Sequence, residues 1–260
     1  MIGLEQIFRW LHIFAGVMWI GLLYFFNFIN GQFAATLDAE CKKKAIPELA
    51  PRALFWFRWG AAWTWITGVL LLMIVFYHGN LFLEDQDAGW QTGTIVMVIV
   101  TFLAVFIYDA LFKSGLGKNT KVVIPIAFVI TAVIIYLMAT WGGFSYRGYN
   151  IHLGAMFGTM MAFNVWFRIW PAQQKIITAI KNGQAPDPAD AGMAGMRSKH
   201  NTYMSMPLLW AMINSHTSFF AGSNWGVPAE HAWLVLLVVI VLGWHIIWHC
   251  YKKAGKIKGF

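Results

Sequence analysis

Seven long apolar stretches restrict the fold of this chain more than any other feature of its sequence. A helix needs about 20 apolar residues to cross the hydrocarbon core of a bilayer. Each stretch reaches that length, and together they leave no room for a separate soluble domain. They lie at residues 5–30, 53–78, 92–113, 121–142, 149–170, 202–221 and 229–251. We therefore predict an all-α integral membrane protein, with a bundle of about seven transmembrane helices forming a single domain over residues 1–260.

The composition excludes the common soluble classes of protein. Hydrophobic residues make up 59% of the chain and charged residues 12%, whereas a soluble domain has about 45–50% apolar and about 25% charged residues. An ordinary soluble domain, a disordered chain and a coiled coil are therefore excluded. The first apolar stretch is too long for a cleavable signal peptide, so we expect none. Two cysteines, Cys41 and Cys250, give no disulfide framework.

Basic residues are distributed unevenly between alternate connections. The segments 31–52, 113–121 and 168–201, together with the C-terminal tail, hold 16 of the 19 Lys and Arg residues, and the alternate connections hold only Arg147. Because basic connections stay in the cytoplasm, this pattern predicts an N-terminus outside and a C-terminus in the cytoplasm. The formal net charge of +8 is therefore a topology signal, and we expect no nucleic-acid partner.

The longest connection, 171–201, is predicted to lie in the cytoplasm. It begins at Pro171 and contains the small, polar run Gln184–Gly195, which is typical of a short helix followed by a mobile loop. The stretch after it, 202–221, has the weakest hydropathy of the seven. A 3.6-residue pattern places its polar side chains on one side, which we expect to face protein.

Histidines cluster at one depth of the predicted bundle. His12, His152 and His216 lie in the outer leaflet, and His78 and His231 lie at the outer ends of their helices. Ionisable residues inside a membrane are costly and usually mark a site. Several histidines with almost no carboxylate nearby favour imidazole ligation of a metal. The alternatives are ordinary interfacial residues at His78 and His231, and a histidine bonded to a neighbouring carbonyl at His12.

A haem suits these histidines better than bare zinc or copper, because no carboxylate or cysteine joins them. The first stretch reads RWLHIFAGVMWIGLLYFF, where Ala15, Gly16 and Gly21 leave a smooth flank against which a planar macrocycle can lie. We therefore predict one or two b-type haems with axial histidines, and nearby arginines paired with the propionates. The predicted haem-binding residues are His12, His152, His216, His78, Arg9 and Arg147, and the first three are the candidate iron ligands.

A second polar group is expected near the cytoplasmic face. Asp109 is the only acid well inside a predicted span, so it needs a partner or a role in proton transfer. The alternative is an ion pair with Arg58, Arg168 or Lys113. We expect a polar pocket at this depth, and its candidate catalytic residues are Asp109, Asn164, His200 and Asn201. His245 and His249 are one helical turn apart, a spacing that can bind a metal but more often belongs to an interfacial belt.

Four segments together resemble the membrane domain of bacterial membrane-bound urate oxidases. They read RWLHIFAGVMWIGLLYFFNFIN, RALFWFRWGAAWTWITG, IHLGAMFGTMMAFNVWFRIWPAQQKII and SKHNTYMSMPLLWAMINSH, and the resemblance runs from about residue 5 to 250. The first segment is also similar to other small haem-b membrane proteins. The matching positions are His12, His152, His200, Asn201 and His216. The resemblance implies a multi-pass protein of the bacterial cytoplasmic membrane that oxidises urate.

Three functions are consistent with these features. The first is a haem-b membrane oxidoreductase that passes electrons from a substrate to an outer-face cytochrome c. Relatives usually carry a C-terminal cytochrome c domain, but this sequence has no CxxCH, so we expect a separate electron carrier. The second is a haem-carrying or structural subunit of a larger membrane respiratory or oxygenase complex, or a homo-oligomer, without its own catalysis. The third, a transporter, is disfavoured because no inverted repeat is visible.

Overall fold

The computed structural model describes residues 2–214, 219–221 and 226–259. Within these ranges the chain is helical, and its only β-structure is an isolated antiparallel bridge between Leu83 and Phe144. The prediction of an all-α protein is therefore confirmed. The α-helices are, in chain order, α1 (Ile2–Tyr24), α2 (Gly31–Thr36), α3 (Ala39–Leu71), α4 (Thr92–Lys113), α5 (Thr120–Thr140), α6 (Tyr146–Asn164), α7 (Trp170–Lys181), α8 (Pro188–Asn214) and α9 (Leu234–Ala254).

Five helical segments of the described chain are long and apolar enough to cross a membrane. They are Gly3–Thr36, Ala39–Tyr77, Thr92–Lys113, Thr120–Thr140 and Leu234–Ala254. These segments correspond to five of the seven predicted spans. The helices α6 and α8 coincide with the other two, so seven helices fit the predicted bundle. Their orientation in the membrane stays a prediction.

The low hydropathy of α6 has a simple cause, because much of this helix is buried in protein. Leu153, Met156 and Met161 are almost fully buried, and Asn150 is completely so. Lipid provides no hydrophobic driving force between helices, so the interior of a membrane bundle favours small and polar residues. A Cβ atom at Gly154 would lie 2.9 Å from that of Ala211. Glycine therefore permits this close approach of α6 to α8.

The connection 171–201 is more helical than its sequence predicts. After α7 ends at Lys181, α8 already begins at Pro188. The expected mobile loop over Gln184–Gly195 is therefore wrong for most of its length. The carboxylate of Asp187 accepts the backbone N–H of Ala189 at 2.8 Å, and proline suits the first position of a helix. These two residues together start the helix within a run that is otherwise small and polar.

In the described ranges, three π-helical turns interrupt or end the long helices, at Phe25–Asn30, Leu72–Tyr77 and Val165–Ile169. Such turns are rare and frequently lie at functional sites. Each of these turns is next to, or contains, a residue that bonds to another helix through its side chain: Asn27, Tyr77 or Asn164. The sequence pattern did not reveal these turns, because apolar periodicity does not distinguish one wider turn from the helix around it.

The chain divides into two compact units. The first unit contains Val69–Met160 and Pro207–Leu242, and the second contains Ile2–Gly68, Met161–Met206 and Gly243–Phe260. Of the predicted site residues, His78, Asp109, Arg147 and His152 belong to the first unit. Arg9, His12, Asn164, His200 and Asn201 belong to the second.

Candidate functional site

His12 is held by α3 in one tautomer. Its Nδ1 lies 3.1 Å from Oγ1 of Thr67. The Thr67 hydroxyl donates its own proton to the carbonyl of Trp63 at 2.6 Å. A hydroxyl has one proton, so Thr67 accepts the hydrogen bond and Nδ1 of His12 donates it. This network assigns the lone pair of the ring to Nε2, the form in which a neutral imidazole binds a metal.

Small residues bring α3 against the His12 side of α1. A Cβ atom at Gly68 would lie 2.9 Å from Cε1 of His12, so only glycine leaves room for the ring in this position. About two turns before Gly68, Gly60 of α3 packs against Ala15 and Trp19 of α1. The predicted smooth flank differs in part, since Gly16 faces Thr64 at 3.8 Å whereas Gly21 has nothing within 4 Å. Of these two glycines in the predicted flank, Gly21 is therefore the open one.

His152 has both ring nitrogens engaged. Its Nδ1 donates to the carbonyl of Gly148 at 2.7 Å, and its Nε2 accepts from the hydroxyl of Tyr77 at 3.0 Å. The side chain is completely buried. Binding of iron at this Nε2 therefore requires the hydroxyl of Tyr77 to be displaced.

Aromatic rings enclose His152 within the first unit. The ring of Phe144 has its centroid 4.5 Å from that of His152, and Phe82 lies at 5.4 Å. The bridge between Leu83 and Phe144 brings these rings together, with Ser145 donating its N–H to the carbonyl of Phe82 at 2.9 Å. This arrangement gives His152 a dry, rigid setting and makes its two hydrogen bonds strong.

The remaining predicted haem residues are two arginines and two histidines. Arg9 pairs with Glu5 at 2.8 Å, one turn away on α1. Arg147 lies with its guanidinium 5.8 Å from the ring centroid of Phe76. His78 is exposed and directly follows a π-helical turn. His216 lies outside the described residues.

No cluster of three or more His, Cys, Asp or Glu side chains suited to a metal ion occurs in the described chain. An axial haem site needs only one or two histidines, so this observation bears on a bare metal site and leaves the haem prediction as it stands.

The two predicted catalytic asparagines meet in the second unit. The amide of Asn164 donates to Oδ1 of Asn201 at 2.8 Å, and the amide of Asn201 donates to the carbonyl of Met161 at 2.9 Å. Both side chains are completely buried. His200, the next predicted member, is half-buried on α8. The structure therefore brings together two of the four residues that the sequence predicts for this pocket.

Asp109 forms an ion pair on its own helix. Its Oδ2 lies 3.0 Å from Nζ of Lys113, one turn further along α4. The carboxylate is buried, whereas the ammonium group is largely exposed. Lys113 is one of the three partners that the sequence suggested. Arg58, another of them, lies with its guanidinium 3.5 Å from the ring centroid of Trp170.

Arg197 is the main residue that the sequence analysis missed. It was counted among the basic residues of a cytoplasmic connection, yet its side chain is 1% exposed. It lies four residues before Asn201 on α8, and Ser205 lies four residues after. This spacing places the three on one face of the helix, and all three are buried. Polar residues at every fourth position were therefore the sequence signal for this buried stripe of α8, which consists of Arg197, Asn201 and Ser205.

A hydrogen-bonded chain links α1, α8 and α9 within the second unit. The hydroxyl of Tyr24 lies 2.8 Å from Oγ of Ser205. About two turns earlier on α8, Oγ of Ser198 accepts a hydrogen bond from the amide of Asn27 at 2.8 Å. The hydroxyl of Tyr251 donates to Oδ1 of Asn27 at 2.8 Å. Polar side chains inside a membrane protein bond across helices in this way, so these contacts hold the helices of the unit together.

Several helices of the described chain have the length and apolar composition of membrane spans, and polar side chains are buried among them, a combination typical of membrane proteins. The family model described as Urate oxidase N-terminal matches residues 37–259. The chain therefore belongs to the urate oxidase N-terminal family, as its sequence motifs predict. The matched region begins just before α3, so His12 on α1 precedes it. No curated protein and no solved structure matches the chain.

Proposed function

We propose that this urate oxidase-like membrane protein binds haem b through His12, oxidises urate or a related purine, and passes the electrons to a separate cytochrome c at the outer face of the membrane. The observation that carries the proposal is the hydrogen bond between His12 and Thr67, at 3.1 Å. It fixes the tautomer that a haem ligand needs.

The surroundings of His12 support its role as an axial ligand. A ligating histidine usually donates its other ring N–H to a hydrogen-bond acceptor, which orients the ring and raises its basicity. Thr67 is that acceptor, and Gly68 leaves room for the ring. When bound, haem b supplies one-electron transfer at a potential set by its ligands and burial.

His216 and His152 are the other iron ligands that the sequence predicts. The Tyr77 hydroxyl bonded to Nε2 of His152 at 3.0 Å disfavours His152, because a ligand nitrogen must give up that hydrogen bond. Arg9 and Arg147 remain the basic residues proposed for the propionates. Arg9 would exchange its Glu5 partner for a propionate, which keeps its charge neutralised.

The buried stripe of α8 is the proposed substrate-binding surface. Oxidised purines are planar and anionic, with N–H and C=O groups around their edge. An arginine presents a planar set of donors that suits such an anion, and an asparagine amide both donates and accepts. Arg197 and Asn201 lie one turn apart on this face, with Asn164 bonded to Asn201. His200 is the proposed proton acceptor beside them, and Asp109 is proposed to transfer protons in the first unit.

Turnover of purified protein tests this proposal. The full chain, in detergent or nanodiscs and loaded with haem, is mixed with urate and oxidised cytochrome c, and reduction of the cytochrome is followed by absorbance. We expect urate-dependent reduction that decreases in Asn201→Ala and Asp109→Asn variants with normal haem content. A haem-loaded protein that never reduces a carrier would contradict the enzyme proposal. It would favour a haem-carrying subunit of a larger complex.

A further inference from the structure

We propose that His245 and His249 form a second metal site on α9, suited to a divalent transition-metal ion of the copper or nickel class. The Nε2 atoms of the two rings lie 3.0 Å apart, and both side chains are exposed. Two histidines four residues apart on a helix lie on the same face and can bind one ion together.

The separation of the two nitrogens indicates which geometry fits. Metal–imidazole bonds are about 2.0–2.1 Å long, so nitrogens 3.0 Å apart subtend about 90–100° at a shared ion. That angle matches neighbouring positions of a square-planar or tetragonal site, which Cu(II) and Ni(II) prefer. A tetrahedral zinc site needs a wider angle. Water would complete the coordination, because the described residues bring no third ligand of this kind together.

Two imidazole nitrogens 3.0 Å apart must share a proton or a metal ion. If both presented lone pairs to each other, they would repel, so either a proton or a metal ion must bridge the gap. A proton on one Nε2 makes the hydrogen bond that the geometry permits. Replacing that proton by a metal ion leaves both rings in the same region of the helix, with both protons on Nδ1. The metal-bound form therefore requires only side-chain adjustment.

The neighbouring aromatic side chain supports both rings. Trp248 stacks on His245, with ring centroids 5.6 Å apart, and meets His249 edge-on at 4.8 Å. The ammonium group of Lys252 lies 3.8 Å from the centroid of Trp248, which directs this positive charge to the face of the indole ring. Restricted rings lose less entropy on binding, and preorganisation of this kind raises affinity.

Copper binding to the full-length protein tests the proposal. Purified protein is titrated with Cu(II), and electron paramagnetic resonance records the hyperfine pattern of the copper-bound nitrogens. We expect one tight equivalent with two equivalent nitrogens. His245→Ala and His249→Ala should each weaken copper binding by at least about tenfold, since losing even an outer-shell partner costs that much. His231→Ala removes another exposed histidine and serves as the matched control.

Thermal unfolding supplies an independent reading, because an ion that binds only the folded protein raises its midpoint. Cu(II) should raise the midpoint of the wild type and of His231→Ala, but not of His245→Ala. Equal copper affinity and equal nitrogen coupling in the wild type and all three variants would overturn the proposal. Haem content is measured in the same samples, and its loss would count against the haem proposal without affecting this one.

Discussion

The hydroxyl of Thr67 accepts a hydrogen bond from Nδ1 of His12 at 3.1 Å and donates a hydrogen bond to the carbonyl of Trp63. This relation gives a histidine inside a predicted membrane helix a defined orientation and a defined tautomer. The same contact also links α1 to α3 within the second unit.

Replacement of Thr67 by valine should weaken haem binding while leaving the helices packed. Valine keeps the shape of threonine but removes the acceptor for Nδ1 of His12. Loss of such an outer-shell partner lowers metal affinity by about 10–100-fold, so we expect a lower haem content or a shifted reduction potential. Thr131→Val is the matched control, because the hydroxyl of Thr131, like that of Thr67, donates to a carbonyl four residues earlier. Equal haem affinity in both variants would exclude a role for the His12–Thr67 hydrogen bond in haem binding.

A methyl group at Gly68 should displace the His12 ring. The added Cβ would lie 2.9 Å from Cε1 of His12, which is closer than van der Waals contact permits. Overpacking of this kind costs about 1–3 kcal/mol, and the ring should move away from Thr67. We expect Gly68→Ala to broaden or shift the haem absorbance bands. Gly21→Ala is the control and should keep the protein's stability, because nothing lies within 4 Å of a Cβ atom there. An unchanged spectrum in Gly68→Ala would show that the His12 ring has room.

Removal of the Tyr77 hydroxyl separates the two candidate ligands. Tyr77→Phe leaves Nε2 of His152 without its donor, and an unmade buried hydrogen bond costs about 1–3 kcal/mol. If His12 is the ligand, the variant should unfold at a lower temperature but keep its haem spectrum. The control is Tyr136→Phe, at a tyrosine that is 46% exposed. A higher haem content in Tyr77→Phe would instead identify His152 as a ligand that competes with the tyrosine.

The buried asparagine pair should matter for substrate and for stability in different ways. Asn201→Ala removes the acceptor for Asn164 and the donor to Met161, so the free energy of unfolding should fall by about 1–3 kcal/mol. Asn201→Asp keeps an acceptor for Asn164 but places a negative charge on this face of α8, so it should raise the KM for an anionic purine. Asn182→Ala, at an exposed helix end, is the control. A KM unchanged in Asn201→Asp would remove the α8 stripe from the substrate site.

The length of the apolar stretches predicted the helices well, because a stretch of bilayer length has few alternative folds. The bounds of α4 and α5 agree closely with the predicted 92–113 and 121–142. The errors occurred where local chemistry competes with hydropathy. Asp187 and Pro188 start α8 inside a polar run, and α3 begins at Ala39, before its apolar part, with Pro47 and Pro51 inside the helix.

For the site, depth along a helix identified candidate residues but not their partners. Asn164 and Asn201 were correctly grouped, since both lie at the same predicted depth. Tyr77 and Thr67 were missed because their roles depend on which helix faces meet. Arg197 was missed because a basic residue in a connection is usually solvated, whereas this one is buried. Such facts follow from packing, which a single sequence does not specify.

The most direct test of the central claim is a reduced-minus-oxidised absorbance spectrum of the purified protein, with a pyridine haemochrome assay for haem per chain. It is recorded for the wild type, for His12→Ala, and for His231→Ala as the control. We expect sharp α and Soret bands of b-type haem in the wild type and in His231→Ala, and loss or a strong shift of these bands in His12→Ala. A featureless spectrum from folded wild-type protein, or an unchanged spectrum and haem content in His12→Ala, would contradict the assignment of His12 as the haem ligand.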